Sequence, residues 1–172
     1  MIEHPLHKEI GEYLKKENIS GIELILDPAC GGDQNIPLFK NEIKSNATEY
    51  CNVDIMIIKN DRVKIIIEIE EANIKPTQIC GKLLTSALSN YYSKKNSNKS
   101  IEMDDNTYFI QILDTTNLKE KSKKEEQFKN IEKSIQNILP VRNSRIRNYK
   151  IFGLKRGDDL TKIINEIKDI IK

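Results

Sequence analysis

The spacing of apolar positions along the chain changes several times, and each change marks an element. Leu6, Ile10, Tyr13 and Leu14 recur at helical spacing directly after Pro5, a residue suited to a first helical turn, so the spacing predicts an amphipathic helix over 5–18. Residues 21–27 alternate as a short strand. Residues 28–46 are rich in Gly, Pro and Asn, contain Cys30-Gly31-Gly32-Asp33, and predict a long loop with at most one short strand. Residues 50–59 and 62–71 are β-branched apolar runs around a polar turn at Asn60 and Asp61, the pattern of a hairpin at the centre of a sheet.

Beyond the hairpin, Ile79, Leu83, Ala87 and Tyr91 follow one another at intervals of four and predict a helix over 76–92, with Gln78, Lys82, Thr85 and Ser89 on a separate polar face. Residues 94–106 read as a polar connector and 107–113 as a strand. Phe128, Ile131, Ile135 and Ile138 mark a helix that ends before Pro140. A strand over 149–154 and a terminal helix carrying Leu160, Ile163, Ile164, Ile167, Ile170 and Ile171 complete the chain. The order helix, three strands, helix, strand, helix, strand, helix predicts an α/β fold with a mixed central sheet flanked by helices.

A length of 172 residues suits one domain. No apolar run approaches the ~20 residues of a membrane-spanning helix. The first residues lack the basic start and apolar core of a secretion signal, so a cytoplasmic protein is expected. Cys30, Cys51 and Cys80 stand singly, which argues against a disulfide framework or a zinc site and predicts reduced packing residues.

Alternation within the hairpin exposes the candidate chemistry. Asp54, Met56 and Ile58 share one face of the first strand, and Lys64, Ile66, Glu68 and Glu70 share one face of the second. Both strands therefore set carboxylates among apolar residues. Desolvated anions are costly unless they are paired or bind a metal, and neighbouring carboxylates raise one another's pKa, so a divalent cation is the natural partner. An all-oxygen ligand set favours Mg²⁺, with Mn²⁺ as an alternative. Such a cation can activate water and stabilise the oxygens of a phosphoryl displacement. The register that unites Asp54 with Glu68 calls for an odd turn, and a three-residue turn over Asn60, Asp61 and Arg62 sets Asp54 opposite Glu68 and Met56 opposite Ile66.

Net charge is only +2, but the basic residues are unevenly spread. Four of the five arginines, Arg142, Arg145, Arg147 and Arg156, fall in one stretch, and no Asp or Glu occurs from Lys133 to Gly157. With Lys150 and Lys155 they form a candidate contact for a polyanion, since the guanidinium fork fits phosphate oxygens and base edges. A solvated basic loop is the plainer reading.

The succession of a helix, strands, Val53-Asp54, Ile67-Glu68-Ile69-Glu70, a helix and a strand resembles the core of the PD-(D/E)XK, or restriction-endonuclease-like, nucleases over about residues 6–113. The resemblance implies that Asp54 is the motif aspartate and Glu68 the first acidic residue of (D/E)XK. Glu70 fills the usual lysine position and Val53 that of the proline. Some restriction enzymes carry E-x-E, which would make Glu70 a metal ligand or a water-orienting base. A migrated lysine is the other solution, and Lys82 is its candidate, with Gln78 on the same helix face as a candidate DNA contact. Many relatives place a glutamate on the first helix, and Glu9, which fits the edge of the apolar stripe better than Glu12, is the candidate for it and for a further metal ligand beside Asp54, Glu68 and Glu70. His4 and His7 could form a metal pair but, near the N-terminus, are expected at the surface, and Glu71 is expected away from the carboxylates. Implied are a Mg²⁺-dependent deoxyribonuclease, foremost a homodimeric type II restriction enzyme cutting double-stranded DNA, with a basic C-terminal extension over 114–172. The alternatives are a structure-specific or repair nuclease of this fold, or a catalytically inactive nucleic-acid-binding module.

Overall fold

The computed structural model describes residues 4–72, 74–94, 97, 99–120 and 122–172. Helix α1 (Pro5–Glu17) leads into strands β1 (Glu23–Leu26), β2 (Pro37–Phe39), β3 (Glu49–Asn52), β4 (Ile55–Lys59) and β5 (Arg62–Glu70). Helix α2 (Pro76–Ala87), β6 (Tyr91–Ser93), β7 (Ser100–Asp114), α3 (Lys124–Ile138), β8 (Ile146–Leu154) and α4 (Thr161–Ile171) follow. The α/β fold and the mixed sheet expected from the sequence are present. Strands β1, β4 and β5 form an antiparallel series, and β5, β7 and β8 run parallel. Beyond β7 a small antiparallel wing is built from β6, β2 and β3.

Two apolar layers sandwich the sheet. Met56, Ile58, Val63, Ile66, Phe109, Leu113 and Tyr149 pack with α2 and α3. Ile55, Ile57, Ile65, Ile67, Ile69, Ile110 and Ile112 pack with α1 and α4. Among the described residues no helix is long and apolar enough to cross a membrane.

Several elements differ from expectation. The single strand expected over 50–59 is two, because the chain changes partners at Val53 and Asp54: β3 pairs with β2, whereas β4 pairs with β1 and β5. Helix α2 stops at Ala87, which frees Tyr91–Ser93 to form β6. The start of β7 replaces the later part of the expected connector, while Lys95, Asn96 and Asn98 lie outside the described residues. The hairpin turn has two residues, Asn60 and Asp61, both with positive φ, and Lys59 pairs with Arg62. A register shift between Ile57 and Ile58 then restores Met56 opposite Ile66. A bulge thus supplies the offset that the third turn residue was expected to supply, and it turns Val63 onto the face of Ile66.

A candidate acidic metal centre

Strand β4 begins at Ile55, paired with Ile67, so the last three residues of β5 run past the end of their neighbour. Asp54 fills the gap. Its Oδ2 accepts a hydrogen bond from the Ile69 amide at 2.7 Å, replacing the ladder partner that β4 does not provide. The Asp54 carbonyl accepts from Asp27 N at 2.9 Å, anchoring the same residue to the end of β1.

Glu68 is wholly buried and continues the face of Ile66. Lys82, one turn beyond Gln78 on α2, places its ammonium 2.8 Å from Glu68 Oε2 and 3.8 Å from Glu70 Oε1. The four residues that the resemblance implies for catalysis, Asp54, Glu68, Glu70 and Lys82, are therefore gathered at one end of β5. Burial, reinforced by the charge of Asp54, pushes the Glu68 carboxyl well above its usual range despite Lys82. Burial also raises Glu70, against the pull of Lys82. For Asp54 burial acts upward, but His7 and the Ile69 amide outweigh it and hold the carboxyl below its usual range. Burial opposes the Lys82 charge, and the surrounding carboxylates more than compensate, so the amine stays protonated.

Helix α1 contributes a histidine to this site. His7 is buried, not at the surface, and its Nε2 lies 3.5 Å from Asp54 Oδ2. Its Nδ1 is 2.7 Å from Glu71 Oε1, which also accepts from the His7 backbone amide at 3.0 Å. Burial works against protonation of His7, yet the two carboxylates raise its pKa overall. Glu71, expected away from the carboxylates, joins the group through His7, which also touches Asp54. The expected metal ligand Glu9 is engaged elsewhere: its carboxylate accepts from Gly157 N at 3.1 Å, bracing the loop between β8 and α4. The signal for His7 lay in the sequence, since Leu6, His7, Ile10, Gly11 and Leu14 form the buried stripe of α1.

Most of the expected DNA-contacting residues are occupied within the fold. Gln78 Oε1 accepts from Lys75 N at 3.2 Å and caps α2. Arg145 pairs with Glu102 and Asp105, and Arg147 donates to the Asp105 carbonyl. Arg156 lies 3.1 Å from Asp114 and 3.7 Å from Glu71, which brings it to the edge of the acidic group. Arg142 and Lys155 are exposed and Lys150 is half-buried. The cysteines are free: Cys30 is buried as expected, Cys51 is partly buried, and Cys80 lies at the surface.

The acidic end of β5 offers oxygen donors of the kind a hard divalent cation takes. Glu68 Oε1 and Glu70 Oε1 are buried without a hydrogen-bond partner, and the Asp54 carboxylate adjoins them. Unpaired buried anionic oxygens are costly, and an all-oxygen donor set suits Mg²⁺ or Mn²⁺. Among the described residues, the group of three His, Cys, Asp or Glu side chains whose ligand atoms all lie within 4.8 Å of one another is His4, His7 and Glu71, not Asp54, Glu68 and Glu70, and its imidazole nitrogens suit a transition ion. Comparison with protein-family models, curated proteins and solved structures yields no match.

Proposed function

We propose that the chain is a Mg²⁺-dependent DNA endonuclease of the PD-(D/E)XK type, a restriction-type enzyme cutting duplex DNA at a fixed site as a homodimer. The observation that carries this reading is the ammonium of Lys82 against Glu68 and Glu70, beside a buried Glu68 oxygen without a hydrogen-bond partner. A lysine absent from the position after Glu68-Ile69 thereby reaches the same carboxylate from α2. What supports it further is that Asp54 and Glu68 lie between α1 and α2 in an α/β chain with a mixed sheet.

In this reading Asp54, Glu68 and Glu70 would hold the cation, with His7 positioning Asp54. A bound Mg²⁺ supplies charge stabilisation and acidifies a water ligand. Lys82 orients the attacking water and balances negative charge that develops on the phosphoryl oxygens. Glu70, whose carboxyl burial raises above its usual range, would take the proton of that water. One P–O bond forms from the water oxygen as the P–O bond to the leaving alcohol breaks, and that alcohol takes its proton from solvent. A single centre cuts one strand, so a symmetric duplex site calls for two copies.

Incubation of phage DNA with the protein and Mg²⁺ tests the reading. Discrete fragments support a restriction-type enzyme, cleavage confined to junctions or flaps supports a repair nuclease, and binding without metal-dependent cleavage supports a silent module.

A further inference from the structure

Gln111 is wholly buried on the face of β7 that carries Phe109 and Leu113 into the α2 and α3 layer. An apolar residue would fill this position without a polar penalty. The amide oxygen accepts a hydrogen bond from the Tyr149 hydroxyl of β8, whose ring stacks on Phe109 at 6.1 Å. The orientation of the amide is thus set from the β8 side. Its nitrogen has no hydrogen-bond partner.

On the other side of β7 runs β5, and the residue paired with Gln111 is Glu68. Lys82 occupies Glu68 Oε2, while Glu68 Oε1 has no partner. A buried donor without an acceptor and a buried acceptor without a donor therefore occupy paired positions on adjacent strands, on one sheet face. Groups of this kind are normally matched, because each is penalised for leaving water.

We propose that Gln111, oriented by Tyr149, is a positioning residue for the cation site, its amide serving Glu68 Oε1 and fixing how that carboxylate presents itself to the metal. This rests on the reading of Asp54, Glu68 and Glu70 as cation ligands. Gln111 Nε2 and Glu68 Oε1 are not hydrogen-bonded to each other in the structure; with the amide turned onto Oε1 and Lys82 on Oε2, the carboxylate would be set before a cation arrives. Loss of such a supporting hydrogen bond typically weakens metal binding roughly 10- to 100-fold.

Binding of Mn²⁺ to the full chain without DNA, followed by the electron paramagnetic resonance signal of the free ion, tests the proposal. Gln111→Leu removes the amide at similar volume, Tyr149→Phe removes only the hydroxyl that orients it, and Glu68→Gln reports on the cation site itself. The expected result is loss of binding in Glu68→Gln and a Kd raised roughly tenfold in Gln111→Leu. Tyr149→Phe moves the Kd the same way by less. A Kd that stays at the wild-type value in Gln111→Leu and Tyr149→Phe, with only the thermal midpoint altered, overturns the proposal and leaves the cation reading intact if Glu68→Gln has lost binding. Undiminished Mn²⁺ binding by Glu68→Gln overturns both. If Gln111→Leu does not fold, Tyr149→Phe decides alone.

Discussion

Lys82 Nζ stands 2.8 Å from Glu68 Oε2, a contact that ties α2 to β5 across 14 positions of sequence. The ammonium is 3.8 Å from Glu70, so its closer bond is to the motif carboxylate. Lys82→Ala is therefore expected to lower the cleavage rate by ~100-fold or more, the usual scale for removing a positioned proton-transfer or charge-stabilising group. Glu70→Ala is expected to cost less. Single-turnover rates at saturating Mg²⁺ check the order, and the reverse order would give Glu70 the role of the displaced lysine.

The titration of the acidic group fixes the sign of a pH effect on the metal-free protein. Glu68 and Glu70 are raised above their usual 4.5, so the native state takes up protons before the unfolded chain does. His7 is raised above its usual 6.5 and acts in the same direction. These contributions are fully present below the unfolded values and are lost as pH rises through the folded ones. Asp54 is depressed below 3.8, so its contribution is lost only in stronger acid. The thermal midpoint without divalent ions is therefore expected to rise as pH falls from about 8 to about 5. Glu68→Gln is expected to flatten that slope in a calorimetric pH series, and added Mg²⁺ to raise the midpoint most at the alkaline end.

Helix α1 offers a paired test. His7 touches both Asp54 and Glu71, whereas Glu9 accepts from Gly157 N. His7→Ala is expected to reduce cleavage and to move the acidic limb of its pH profile upward, because Asp54 loses the main partner that depresses it. Glu9→Ala is expected to leave the cleavage rate near wild type while lowering the thermal midpoint. Rate profiles and melting curves of both variants distinguish the site residue from the loop brace.

Within the basic segment, the contacts of Arg145 with Glu102 and Asp105 separate structural arginines from available ones. Neutralising Arg142 and Lys155 together is expected to flatten the salt dependence of DNA binding by about one log unit of slope per phosphate contact. Neutralising Arg145 and Arg147 is expected to lower stability with a smaller change in slope. Affinities measured across a salt series, beside melting curves, check both statements.

The sheet and its acidic end were legible where local periodicity carries the information. Alternation in β5 set Glu68 and Glu70 on one face, and the spacing of Ile79, Leu83 and Ala87 turned Lys82 away from the α2 core stripe. Features that depend on partners distant in sequence were not legible. The break at Val53 and Asp54 arises from an exchange of neighbouring strands. Glu9 and His7 lie two positions apart on one helix, and their roles depend on what faces them, Gly157 in one case and Asp54 with Glu71 in the other. The arginines presented an unbroken basic run because their acidic partners, Glu102, Asp105 and Asp114, lie about 40 positions away. The bulge that replaced the third turn residue leaves no compositional mark, since Lys64 and its neighbours suit a regular strand equally well.

The most direct measurement is the fate of supercoiled and linear duplex DNA incubated with the wild-type chain and with Asp54→Ala, Glu68→Ala and Lys82→Ala, each with Mg²⁺, with Mn²⁺ and with EDTA. The wild type is expected to produce fragments with either cation and none with EDTA, and the three folded variants none above background. Cleavage that persists in folded Asp54→Ala or Glu68→Ala, or intact DNA with wild-type protein under every cation, would contradict the assignment of this carboxylate cluster to metal-dependent phosphodiester hydrolysis.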